Sequence, residues 1–224
     1  MIIRTLIIAL LVVSPVLAAA PPPAKAPLRL APSDEGVKDK SFALNRSKMQ
    51  AAIKAKNVKA LVKLLDPKIK LNFGGGTGIA AFKSSWKPND PTSQIWNVLN
   101  LVVNHGGHFN SPTQFAAPYV YSAWPNDIDA FNYAAMTTTD VELMDAPHES
   151  RKTVRKLGYE IVEILQGAGK PQHEVRDDEW SEVKTGDGKR GFVPSKYYRS
   201  SIDYRAVFEK QNGKWRMTVL VAGD

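Results

Sequence analysis

The period of the hydrophobic residues changes near residue 130, and that change limits the fold more than any other feature of the chain. Upstream, apolar residues recur at helical spacing. Val58, Leu61, Val62 and Leu65 stand at i, i+3, i+4 and i+7, one stripe of an amphipathic helix, with Lys54, Lys56, Lys59 and Lys63 off it. Asn57 fits the N-cap of that helix, because its side-chain oxygen can accept from a free first-turn amide, and Pro67 stops it. Phe42 to Lys56, Ile79 to Trp86 and Gln94 to Asn104 read as further helices. Ile69–Phe73 alternates and predicts a strand, and Tyr119–Trp124 also reads as a strand. Downstream, short segments at 131–137, 141–144, 160–165, 180–184 and 191–194 are separated by turn residues, the pattern of a small barrel. Residues 202–210 and 214–221 flank Asn212-Gly213, a pair that accepts the positive φ angles of a type I′ hairpin. The expected class is α+β: an N-terminal helical or α+β domain at 41–135, a small all-β barrel at 136–200, and a C-terminal β-hairpin at 201–224 that could pack on the first domain.

Two segments precede the first domain. Residues 1–20 read as an export leader: Arg4, an apolar run from Leu6 to Val13 too short to span a bilayer, then small residues before a cleavage point. An uncleaved anchor is the alternative. Residues 21–40 are rich in Pro and Ala and read as an extended linker. The chain of 224 residues has no cysteine, which excludes disulfides, thiolate nucleophiles and cysteine-ligated metals and leaves packing to build the core. An exported, cysteine-free chain points to a periplasmic or secreted protein.

Residues 139–199 carry a connected set of motifs. Val141-Glu-Leu-Met-Asp-Ala-Pro147 precedes a polar loop, and Leu157–Leu165 holds a hydrophobic strand after a glycine. Trp180-Ser-Glu-Val183 and Asp187-Gly-Lys-Arg-Gly-Phe-Val193 follow, closed by Pro194-Ser-Lys-Tyr-Tyr198. Asp187-Gly188 permits a tight turn and Gly191 a close backbone approach. Together these resemble the bacterial SH3 domain family, small barrels attached to envelope proteins. The sequence departs from that family at Met144 and in a longer loop, Gly167–Val175, before Trp180. The resemblance implies binding rather than chemistry, with Tyr159, Trp180, Tyr197 and Tyr198 as groove walls. The alternative for Tyr159 and Trp180 is the barrel core, where Trp180 reads first, whereas Tyr198, between Tyr197 and Arg199, is expected to be exposed. Residues 46–86 and 204–224 carry a fainter similarity to the nuclear-transport-factor-2-like cone fold, which implies that the barrel is inserted before the last hairpin of an α+β domain.

Other chemistry is less well supported. Gly74–Gly78 fits neither the dinucleotide fingerprint nor the P-loop and reads as a turn before a helix. His105-Gly-Gly-His108 could hold a metal with Asp127 or Asp129, but reads more simply as a helix end with His105 at the negative pole of the dipole. No cofactor and no metal are expected. The net charge is +8. Residues 21–70 hold 12 basic and 4 acidic groups, whereas residues 136–200 hold 11 and 12. The excess therefore belongs to the N-terminal part, which offers weak contact with an anionic membrane or polymer. Nucleic acid is not an expected partner of an exported chain. The expected function is a non-catalytic binding or adaptor protein of the bacterial envelope, recognising a cell-wall peptide or envelope protein. The alternative is a periplasmic hydrolase or small-ligand-binding enzyme with a pocket in the N-terminal domain.

Overall fold

The computed structural model describes residues 28–147, 152–167 and 171–223. The leader at 1–20 and the start of the Pro/Ala-rich segment lie outside them, as do parts of the loops after Pro147 and Gly167. The described chain is mixed α+β and mostly β, with five α-helices and twelve strands in two sheets.

The helices come first. α1 (Lys40–Lys54) starts at Asp39, whose carboxylate accepts from the Phe42 amide at 2.9 Å. It buries Phe42, Met49, Ala52 and Ile53 and leaves Leu44, on the opposite side, 58 % exposed. α2 (Val58–Val62) is capped by the Asn57 side chain on the Ala60 amide, as the sequence predicts. β1 (Leu65–Lys70) follows and includes Pro67, so the strand begins earlier than the alternation of 69–73 suggests. The sheet edge tolerates it: a proline there lacks only an amide that has no partner strand. The register of β1 against its single neighbour shifts across that stretch. α3 (Gly78–Trp86) and α4 (Ile95–Val103) match the expected helices.

A hairpin of β2 (His108–Ser111) and β3 (Gln114–Ala117), unmarked by clear alternation, comes next. The strand expected at 119–124 is instead one helical turn, α5 (Tyr119–Ser122). The Pro118 carbonyl accepts from the Tyr121 and Ser122 amides, and the turn buries Tyr119 and Val120.

β4 (Tyr133–Met136), β5 (Val141–Met144), β6 (Thr153–Leu157), β7 (Ile161–Gln166), β8 (Trp180–Lys184), β9 (Arg190–Pro194) and β10 (Tyr198–Arg199) form a seven-stranded sheet in the order β10-β4-β7-β8-β9-β5-β6. Its end strands β10 and β6 are not paired with each other among the described residues, so the expected barrel is not found closed. β11 (Arg205–Gln211) and β12 (Lys214–Val221) make the C-terminal hairpin, with positive φ at both Asn212 and Gly213. They do not extend the second sheet. β12 runs parallel to β1 and β11 antiparallel to β3, giving a five-stranded sheet in the order β1-β12-β11-β3-β2.

The first sheet and its helices share a large core in which the Phe42 ring meets Phe115 at 4.2 Å, Trp215 at 5.1 Å and Phe208 at 5.4 Å. The second has a smaller, mainly aliphatic core of Val141, Leu143, Leu157, Val162, Val183 and Val193 among others. Leu30, Tyr119, Val120, Ala135 and Ile161 form a third cluster between them.

The expected linker is, from residue 28 onward, a strap across both sheets. The Leu30 amide donates to Tyr159 O at 2.7 Å, and the Glu35 amide to Gly107 O at 2.8 Å. Glycine is required beneath it: a Cβ on Gly106 would collide with Ser33 O, and one on Gly107 with Ala116 O. Arg46 from α1 fixes the strap by two hydrogen bonds to Asp34, at 2.7 and 2.8 Å.

Candidate functional site

Strand alternation sorts the residues of the second sheet into core and surface. In β8, Ser181 and Val183 point inward, which sends Trp180, Glu182 and Lys184 to the other face. In β9, Gly191 and Val193 are inward, and Pro194 pairs opposite Trp180. A Cβ on Gly191 would stand 2.5 Å from Met144 O, so the close approach expected there is present.

The chain then turns through a 3-10 segment, Ser195–Tyr197. Buried hydroxyls hold this turn. Ser181 Oγ lies 2.7 Å from both Ser195 Oγ and Tyr198 Oη, and the Ser195 amide donates to Glu179 O at 2.9 Å. The Tyr197 carbonyl accepts from the Thr137 amide at 2.8 Å and from its hydroxyl at 3.1 Å.

These constraints set Trp180, Pro194 and Tyr197 along one groove of about 380 Å³. Its opposite wall is the start of β5: Thr138, Thr139, Asp140, Val141, Glu142 and Met144. Asp140 and Glu142 are exposed at the rim, and no basic residue lines the groove. Such a surface can stack on apolar or cyclic groups and attract a cation. Met144, singled out as a departure, is part of that wall.

Two of the four expected wall residues therefore meet, and two do not. Tyr198 is a correction: it is only 8 % exposed, and its hydroxyl is tied to Ser181 inside the sheet. Of the two adjacent tyrosines, Tyr197 is half-buried at the core's edge and lines the groove, while Tyr198 pairs into β10 opposite Met136. Tyr159 stands apart from the groove at the β6–β7 turn, in left-handed conformation (φ 54°), with its carbonyl bound by the strap. The β5 wall was missed. Its signal was the polar run Thr137–Asp140 directly before an alternating strand.

A second polar cluster lies where the two sheets meet. Arg199 on β10 is buried and pairs with Asp203 at 3.2 Å, while its Nη2 donates to Tyr204 O at 2.7 Å. Burial holds the Arg199 guanidinium below its ordinary value, with Asp203 offsetting part of that shift. The Tyr204 ring packs edge-on against Trp86 of α3 at 5.3 Å and against His173 at 5.4 Å. Burial holds His173 and His105 below the ordinary imidazole value and pushes the Tyr119 hydroxyl up to about 12. This cluster welds the sheets together.

The two histidines of the His-x-x-His motif have separate tasks. His105 Nδ1 is 2.7 Å from Leu101 O at the end of α4, while His108 bridges Ser33 and Ser122 at 3.0 and 2.9 Å. Among the described residues, no group of three or more His, Cys, Asp or Glu is placed to hold a metal ion. No helix of the described residues is long and apolar enough to cross a membrane. Comparison with protein-family models, with curated proteins and with solved structures finds no match.

Proposed function

We propose that this chain is an exported, non-catalytic binding protein of the bacterial envelope. In this reading residues 1–20 are a cleaved leader and the seven-stranded sheet is an SH3-like module. The module recognises a cell-wall peptide, or a segment of an envelope protein, that carries a free amine. One observation carries the reading: Trp180, Pro194 and Tyr197 line a single groove whose opposite rim presents Asp140 and Glu142. Aromatic walls provide contact area at low entropic cost, and the two carboxylates select a cationic group. The motif residues behind the SH3-like reading also lie on adjacent strands, since β8 and β9 pair along their length.

Pull-down on purified murein tests the reading. The wild-type chain is expected to be retained, and the Asp140→Asn/Glu142→Gln double variant and Trp180→Ala are expected to be lost to the wash. The two acids are exposed, so the double variant keeps its fold whatever Trp180→Ala does. Equal retention of all three proteins removes this groove as the site.

A further inference from the structure

From residue 40 to residue 65 the chain holds seven basic residues and no acidic one. Arg46 is engaged by Asp34. Lys48, Lys54, Lys56, Lys59 and Lys63 are exposed and make no ion pair among the described residues. Two of them, Lys48 and Lys63, line concave ground. One hollow of about 530 Å³ lies between α1 and α2 over Ala51, Ala55 and Ala60. A second, of about 330 Å³, runs on toward the β11–β12 turn past Leu44, Lys214 and Arg216. The two share Lys48, Lys63 and Leu64, so they form one trough with an apolar floor and a basic rim.

We infer that this trough is a second docking site, and that its occupant is an extended acidic polypeptide segment in which carboxylates alternate with small apolar side chains. The charge calls for an anion, because like charges this dense repel one another until an opposite charge arrives. The floor calls for a polypeptide. Exposed Leu44 and the alanines gain nothing from a phosphate or sugar chain, but lose water to small apolar side chains. A membrane is the poorer fit, since interfacial helices insert bulky Trp, Phe or Leu, whereas this floor is mostly alanine and hollow. The trough is separate from the aromatic groove, and the two share no residue.

Fluorescence anisotropy of the full chain with a labelled peptide of alternating Glu and Ala, about 10 residues long and roughly 33 Å extended, tests this. Saturable binding is expected that weakens as salt rises, with no binding of a Gln/Ala peptide of equal length. Lys48→Glu/Lys63→Glu is expected to weaken binding by about tenfold or more, and Lys83→Glu/Lys189→Glu, the same charge change elsewhere, by less than about twofold. Ala51→Phe fills the floor without altering charge and is expected to weaken binding by about fivefold. Equal losses in both charge reversals, full affinity in Ala51→Phe, or no binding by the wild-type chain overturns the proposal. Binding to phosphatidylglycerol vesicles in the absence of peptide binding overturns it in favour of a membrane surface.

Discussion

The two sheets use their aromatic residues in opposite ways. Around the five-stranded sheet, Phe42, Phe115, Phe208 and Trp215 point inward and pack in one cluster, edge-on except for the tilted Phe42–Phe115 pair. In the seven-stranded sheet the core is mainly aliphatic, and Trp180 and Tyr197 stand partly exposed along a groove. Helices explain the contrast. α1 and α4 cover the first sheet and supply the volume that large rings fill, while a small sheet without helices closes on β-branched residues and has large rings to spare. Large rings are therefore placed differently in the two halves: at the centre of the core in one, and along a partly exposed groove in the other, where only Tyr198 turns inward.

The largest expected effect is on the covered side. Phe42→Ala is expected to cost about 4 kcal/mol in denaturant unfolding, because it empties the centre of the ring cluster. A cost near that of a surface change would break the comparison. Next comes the weld between the halves. Asp203→Ala strands the buried Arg199 charge and is expected to cost about 3 kcal/mol, with fluorescence and circular dichroism transitions separating if the sheets then unfold independently. Trp180→Ala is expected to cost less, about 2 kcal/mol from lost area, while removing ligand retention. A cost above that of Phe42→Ala would make Trp180 a core residue. At the N-cap of α1, Asp39→Ala is expected to cost about 1 kcal/mol, since it removes the acceptor of the Phe42 amide.

The last expected effect is a pH response to which groups of the weld contribute. His105 and His173 titrate below the ordinary value of 6.5 in the folded chain. The unfolded chain thus binds protons first, and stability present above pH 6.5 falls as pH drops through the folded values. On the alkaline side, Tyr119 ionises from 10 in the unfolded chain but only at about 12 when folded. Stability present below pH 10 is therefore lost as pH rises through that interval. Melting temperature measured across pH should show both slopes, and His173→Gln should flatten the acid one.

Much of this could be read from residues alone where the cause was local. The Asn57 cap, the Asn212-Gly213 turn and the helices at 79–86 and 95–103 follow from short-range chemistry, and each stands where the sequence places it. Long-range packing overrode the rest. The short, mostly apolar run at 119–124 could not distinguish a strand from one helical turn. Nothing local separates Tyr197 from Tyr198; the hydroxyl of Ser181, far back in β8, decides which ring turns inward. The Pro-rich segment looked like a spacer because its partners, Gly107 and Tyr159, lie far apart in sequence, each beside a strand of a different sheet.

The strand order has a consequence in time. Every strand of the second sheet lies within residues 133–199, an unbroken stretch, so that sheet can assemble as soon as this stretch emerges from the ribosome. The first sheet cannot. Its two middle strands come from residues 205–221, and β1 has no strand to pair with until they arrive. The helices made earliest must wait, apolar faces uncovered, while an entire sheet folds ahead of them. During that delay the lysine-rich amphipathic helices are accessible to a chaperone, or to any partner drawn to them.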